Sequence, residues 1–250
     1  LNAYIAAPIA LLCLILATLM GMWIRRRLPN HHLDGDAKDV IKLAIAIIGT
    51  LSALALGLLI SSAKVTYENA NTELKTSVAR VVLLDRTMAK YGAETQAARH
   101  DLRKLIEARL TYAWDPDASE AAERSAPSLE PVEDALRGLV PSTDTERNLQ
   151  TRALAISWEI AEAYWVQTEA VGGGLPRPFL MVLVFWLAVL FGTFGLLAPT
   201  NATVFIILLT CAVSVSAAIY LIVDMDHPYI GFIHVSDAPL RAALVEMGKP

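Results

Sequence analysis

The sequence predicts an all-α membrane protein in which four transmembrane helices carry a long helical-hairpin insert between the second and third. Three observations lead there. The chain is 55% hydrophobic and only 18% charged, against roughly 45–50% and 25% in soluble domains. Four apolar runs each reach the roughly 20 residues that a helix needs to cross a bilayer. The charge is segregated: residues 64–177 carry 32 of the 46 Lys, Arg, Asp and Glu side chains.

The first run, AYIAAPIALLCLILATLMGMWI (3–24), ends on Arg25, Arg26 and Arg27, with Tyr4 and Trp23 where interfacial aromatics belong. A secretory signal would carry its positive charge ahead of the apolar core, so the trailing arginines speak against one. The second run is VIKLAIAIIGTLSALALGLLISSA (40–63). The third, FLMVLVFWLAVLFGTFGLLA (179–198), follows a hinge at Gly172–Gly174 with Pro176 and Pro178; the fourth, ATVFIILLTCAVSVSAAIYLIV (202–223), stops at Asp224, Asp226 and Pro228. The expected division is 1–63 for spans one and two, 64–177 for the insert, 178–224 for spans three and four, and 225–250 for a terminal turn and short helix.

Within the insert, apolar residues recur at three- and four-residue steps from Leu74 through Val78, Val81 and Met88 to Leu102, Ile106 and Leu110. Span two is expected to continue out of the bilayer as one helix of roughly 50 residues, about 75 Å, with a kink or break at Gly92. Residues 115–131 read as loop, 129–140 as a short helix at the tip. Ser142-Thr143-Asp144 offers good N-cap types for a second long helix running to about Val171. Asp85 and Arg86 lie on the outgoing helix, and an unpaired buried charge is costly. Partners are therefore expected on the returning helix, at Arg152, Glu159 or Glu162. Lys90 and Arg86 could alternatively line a vestibule, with Tyr91 packed beside them.

Net charge of −4 excludes a strongly basic nucleic-acid binder. The two cysteines, Cys13 and Cys211, sit inside apolar runs and exclude a disulfide framework. His31-His32 with Asp34 and Asp36 lacks a zinc spacing, and no metal is expected there. Gly172–Gly174 lacks the Lys-Ser/Thr of a phosphate loop. No catalytic constellation falls on one face, so no enzyme and no cofactor are expected.

On span two, Gly49, Ala53, Gly57 and Ser61 stand four residues apart, a ladder of small residues that lets helices approach closely in lipid. It reads either as a packing seam within one subunit or as an oligomer axis. In the second reading Thr50, Leu54, Gly57, Leu58 and Ser61 line a pore with Lys64 at its mouth, and the ring of positive charge appears only on oligomerisation. The five Lys and Arg of residues 25–42 lean toward a cytoplasmic first connection, which puts the insert outside.

Four stretches, RRRLPNHHL (25–33), LSALALGLLISSAK (51–64), LLDRTMAKYGAE (83–94) and DMDHPYIGFIHVSDAPLRAAL (224–244), together resemble the bacterial bestrophin-like membrane family, long classed as a domain of unknown function. The family pattern has proline where this chain has Ala93 and phenylalanine where it has Tyr229; Asp226, Pro228 and Gly231 match its terminal turn. The resemblance implies a pentameric, anion-conducting channel of the inner (plasma) membrane, with the bilayer, small ions and further copies of the chain as partners. It implies that the second span lines the pore and that the insert is cytoplasmic, opposite to the charge-based lean. The family's aromatic-rich neck has no counterpart, since span two holds no Phe, Tyr or Trp. The acids after span four loosely resemble the calcium clasp of animal bestrophins, but without an EF-hand-like ligand run. The alternative function is a non-conducting sensor or scaffold whose insert binds a partner.

Overall fold

The computed structural model describes residues 3–28, 35–114, 128–170, 177–199 and 201–247. The order is α1 (Ala3–Arg27), α2 (Gly35–Tyr91), a 3-10 turn (Ala93–Thr95), α3 (Gln96–Tyr112), α4 (Glu130–Arg137), α5 (Asp144–Ala170), α6 (Arg177–Leu197), α7 (Ala202–Met225) and α8 (Ala238–Met247). Among the described residues there is no strand. The histidine pair, the 115–127 loop and the Gly172–Gly174 hinge fall outside the described residues.

The chain divides into two units. The first holds α1, α2 as far as Tyr67, α6, α7 and Gly231–Ile233. Its four helices are long and apolar enough to cross a membrane. Lipid offers no partner for backbone polar groups, so a spanning segment must close its own hydrogen bonds, as a helix does. The hydroxyls follow the same rule: Thr18, Thr50, Thr193, Thr210 and Ser214 each donate to the carbonyl four residues back, at 2.6–3.0 Å. The core joins Ala6, Ala10 and Leu14 of α1 with Leu59 and Ala63 of α2, Leu183, Leu187 and Phe191 of α6, and Ile219 and Ile222 of α7.

The closest packing lies between α1 and α6. A Cβ on Gly21 would overlap the Gly192 carbonyl, and one on Gly195 would overlap the Thr18 carbonyl. Small residues here let two backbones touch, which is how helices associate where lipid gives them no hydrophobic incentive. Arg25 completes the seam, donating through Nη1 to the Leu197 carbonyl at 2.6 Å and also to that of Ala198. These are among the carbonyls that a helix C-terminus leaves without intrahelical partners.

The second unit holds the remainder of α2, then α3, α4, α5, α8 and short pieces of the 228–235 segment. Leu74, Val78, Val81, Leu84 and Met88 form the buried stripe of α2 here, alongside buried Leu102 and Ile106 of α3, Val132 and Leu136 of α4, Ile156 and Ile160 of α5, and Leu240 and Ala243 of α8. Gly92, at φ 137°, ends α2 in a conformation that favours glycine. Thr95 Oγ1 then donates toward the carbonyls of Met88 and Gly92, at 2.6 and 2.9 Å. Asp85 and Arg99 meet at 2.8 Å, whereas 14 residues along one helix would separate them by about 21 Å. Gly92 is therefore a reversal, not a kink.

A reciprocal cap opens α5. Thr143 Oγ1 accepts the Glu146 N–H at 3.2 Å, while Glu146 Oε2 accepts the N–H groups of Ser142 and Thr143 at 2.6 and 3.3 Å. Those bonds, the one from Ser142 first, hold the Glu146 carboxyl below its ordinary range. Gln150 Nε2 ties α5 to the end of α4 through the carbonyls of Leu136 and Leu139, at 2.8 and 3.0 Å.

Candidate functional site

The membrane part of α2 divides into two opposite sides. At ~100° per residue, Ser52, Leu59 and Ala63 fall together, and they are 4%, 5% and 1% exposed. Thr50, Leu54, Gly57, Leu58, Ser61 and Lys64 occupy the other side, all exposed, with Leu54 and Leu58 at 67% and 66%. A methyl group placed on Gly57 would meet nothing within 4 Å. The six residues expected around an axis thus share one uncovered side of a helix whose other side is packed.

Gly49 separates from them; Ala53 does not. A Cβ on Gly49 would lie 3.4 Å from Leu190 of α6, so that end of the small-residue ladder turns into the subunit. Ala53 is exposed. The ladder winds from a packed position to an open one, and the intimate seam of the subunit is instead Gly21 against Gly192 and Thr18 against Gly195. No reading of a single sequence could pair those glycines without knowing which spans touch.

Thr50 donates its only hydroxyl proton to the Ala46 carbonyl at 2.8 Å. In that rotamer it offers lone pairs to the uncovered side, which suits a cation or a water more than an anion.

In the second unit, Asp85 is 4% exposed and holds Arg99 in a two-pronged ion pair, Nε to Oδ1 at 2.8 Å and Nη2 to Oδ2 at 3.0 Å. The hydrogen bond to Asp85 raises the Arg99 pKa above its ordinary value. Arg86 points elsewhere, to Glu246 of α8 at 3.1 Å. Glu159, one of the partners expected for Asp85 or Arg86, meets Arg80 at 3.1 Å. The partner of Asp85 thus comes from the helix after the reversal, not from the returning helix. Lys90 is exposed and Tyr91 half-buried beside Gly92.

The terminal turn contributes to both units. In the first, Asp224 is 2% exposed and accepts the N–H groups of Phe232 and Ile233 at 3.2 and 2.7 Å. Gly231, at φ 141°, sits against that carboxylate so closely that a Cβ would overlap it. In the second, the Pro228 carbonyl accepts the Val235 N–H at 2.7 Å. Trp114 Nε1 donates to the Val235 carbonyl at 2.7 Å, and its ring meets Tyr229 edge-on at 5.7 Å. Asp226 is half-buried. The organising acid is therefore Asp224, which the sequence marked only as the end of a span. Among the described residues, no group of three or more His, Cys, Asp or Glu could hold a metal ion.

A bestrophin-like domain model matches residues 12–240 of the chain. Two crystal structures of mutant forms of a bacterial bestrophin homologue from Klebsiella pneumoniae share the fold. One gives a TM-score of 0.58 at 13% identity, covering 96% of each chain. The other gives 0.57 at 12%, covering 96% of this chain and 97% of that one. No curated protein matches the chain.

Proposed function

The chain belongs to the bestrophin-like family, and from that premise we propose that it forms an oligomeric ion channel in the bacterial inner membrane, with α2 from each copy around a central axis. A pentamer is the assembly that the family resemblance favours. The observation that carries the proposal is the uncovered side of α2, where Thr50, Gly57, Ser61 and Lys64 stand opposite the packed Ser52, Leu59 and Ala63.

Small anions are the favoured cargo, on charge rather than on hydroxyl chemistry. Lys64 stands exposed at the end of the uncovered side of α2, and in the second unit Lys75 and Lys90 are exposed as well. Arg86 is paired with Glu246, and Glu68 adds an acid. Repeating one set per subunit multiplies the excess of positive charge and raises the local concentration of anions. Leu54 and Leu58 stand on the same side as apolar constriction points, where a pore can close by dewetting.

The experiment is ion flux from proteoliposomes of the purified protein, with chloride and potassium gradients in separate runs. Chloride flux that Lys64→Glu shifts toward potassium is the expected result. No flux of either ion from folded, oligomeric protein sinks the proposal in favour of a membrane scaffold whose insert binds a partner.

A further inference from the structure

Outside α2, the first unit carries a second feature that the channel reading does not use. A cavity of about 360 Å³ opens between α1 and α6, walled by Ala17, Met20, Gly21, Phe185, Ala188 and Gly192. The glycine contacts bring these helices together beside the groove, where Gly21 meets the Gly192 carbonyl. Thr193 lies on its wall, but its hydroxyl is committed to the Val189 carbonyl at 2.6 Å. The groove is therefore apolar along its length, from Ala17 to Ile24 about 10 Å of helix rise.

Past one end of this groove the chain turns basic. The groove runs out at Ile24 and Leu196, and the next residues of α1 are Arg25, Arg26 and Arg27. Arg25 is held by the carbonyls of Leu197 and Ala198 through Nη1, while a guanidinium carries five N–H donors in all. The Arg27 guanidinium lies over the Trp23 ring, 4.8 Å from its centroid. Arg27 is thus held beside an interfacial tryptophan, the depth at which phospholipid headgroups lie, and Arg25 at the end of α6.

We infer that this groove is a binding site for one anionic phospholipid per chain, an acyl chain lying along Ala17, Gly21 and Gly192 and the phosphate meeting Arg25 and Arg27. An apolar slot that ends in fixed guanidiniums fits a molecule with an apolar tail and an anionic head. Basic pockets between membrane helices recognise anionic headgroups by this chemistry.

The test is native mass spectrometry of the full chain in detergent, with dioleoylphosphatidylglycerol, dioleoylphosphatidylcholine or inorganic phosphate added in separate runs. The expected result is one phosphatidylglycerol retained per chain, with phosphatidylcholine and free phosphate both lost. Arg27→Gln leaves the Arg25 bonds to α6 intact and should weaken retention about fivefold. Val189→Trp fills the groove from its exposed edge and should weaken it too. Equal retention of the two lipids, or unchanged retention in both variants, overturns the inference. So does Val189→Trp lowering the oligomeric order while the lipid count holds, because the groove would then belong to a second copy.

Discussion

Replacing Asp85 by asparagine removes a negative charge that is 5% exposed and leaves Arg99, 23% exposed, facing a neutral amide. Breaking one side of a fully buried ion pair costs about 3–5 kcal/mol, because the remaining charge is stranded. Arg99 is not fully buried, so part of its charge regains water, and the expected cost falls to about 2–3 kcal/mol. For a chain of this length that is a fall of roughly 4–12 °C in Tm. The assay is thermal unfolding of the detergent-solubilised protein, followed by intrinsic fluorescence, for wild type, Asp85→Asn, Arg99→Met and the double variant. Because stranding a charge causes most of the loss, the double variant should be more stable than the sum of the single losses predicts, by at least 1 kcal/mol, as for coupled neighbours. A single-variant loss under about 1 °C, or strictly additive losses, would refute the view that this pair clamps the reversal at Gly92.

Three further outcomes follow from the geometry. Gly21→Leu drives a side chain into the Gly192 carbonyl, and should cost more than the ~3 kcal/mol of ordinary overpacking, seen as loss of the monodisperse peak in size-exclusion chromatography. Gly57→Leu, where nothing lies within 4 Å, should keep that peak and abolish flux by narrowing the axis. The cap on α5 should depend on pH. The Glu146 carboxyl is held below its ordinary range in the folded chain, so its stabilisation is complete above the unfolded Glu pKa and fades as pH falls through the lowered folded value. Hydrogen exchange at residues 142–146 should accelerate on acidification in wild type and show no such step in Glu146→Gln.

The spans were legible because lipid imposes a length and a composition that few other contexts share, and runs such as FLMVLVFWLAVLFGTFGLLA state both. The start of α5 was legible for a local reason, the N-cap types Ser142-Thr143-Asp144, although the partner that completes the cap, Glu146 three residues after Thr143, went unread. The partner of Asp85 was not legible, because it depends on whether Gly92 bends the helix or reverses it. The signal was present all the same. Asp85 and Arg99 lie seven residues on either side of Gly92, and folding a helix back on itself pairs positions equidistant from the turn. Asp224 was illegible in a different way. Its role is to bind the N–H groups of Phe232 and Ile233, eight and nine residues on, and backbone donors leave no trace in sequence. Gly231 was the available clue, since a glycine shortly after an acid marks a place where backbone comes close.

The proposed covering of α2 by further copies can be set against its neighbours in the same unit. The uncovered sides of α1 and α6 display Ile5, Ile9, Leu12, Leu16 and Trp23, and Phe179, Met181 and Phe185, the large apolar groups that lipid tails accommodate. The uncovered side of α2 also carries large apolar groups, Leu43, Ile47, Leu54 and Leu58 among them, but mixes them with Thr50, Gly57 and Ser61 and ends on Lys64; α7 likewise exposes Thr210 and Ser214. Facing lipid, a glycine there forgoes contacts that a larger side chain would make, and a hydroxyl finds no partner beyond its own helix. Both features become useful when identical helices meet around an axis. Gly57 then allows close approach, and the hydroxyls face water rather than hydrocarbon. On the channel reading proposed above, subunit assembly would solvate this side of α2. A variant that blocks assembly, whatever its position, should expose α2 to lipid and lower the stability of the monomer along with its flux.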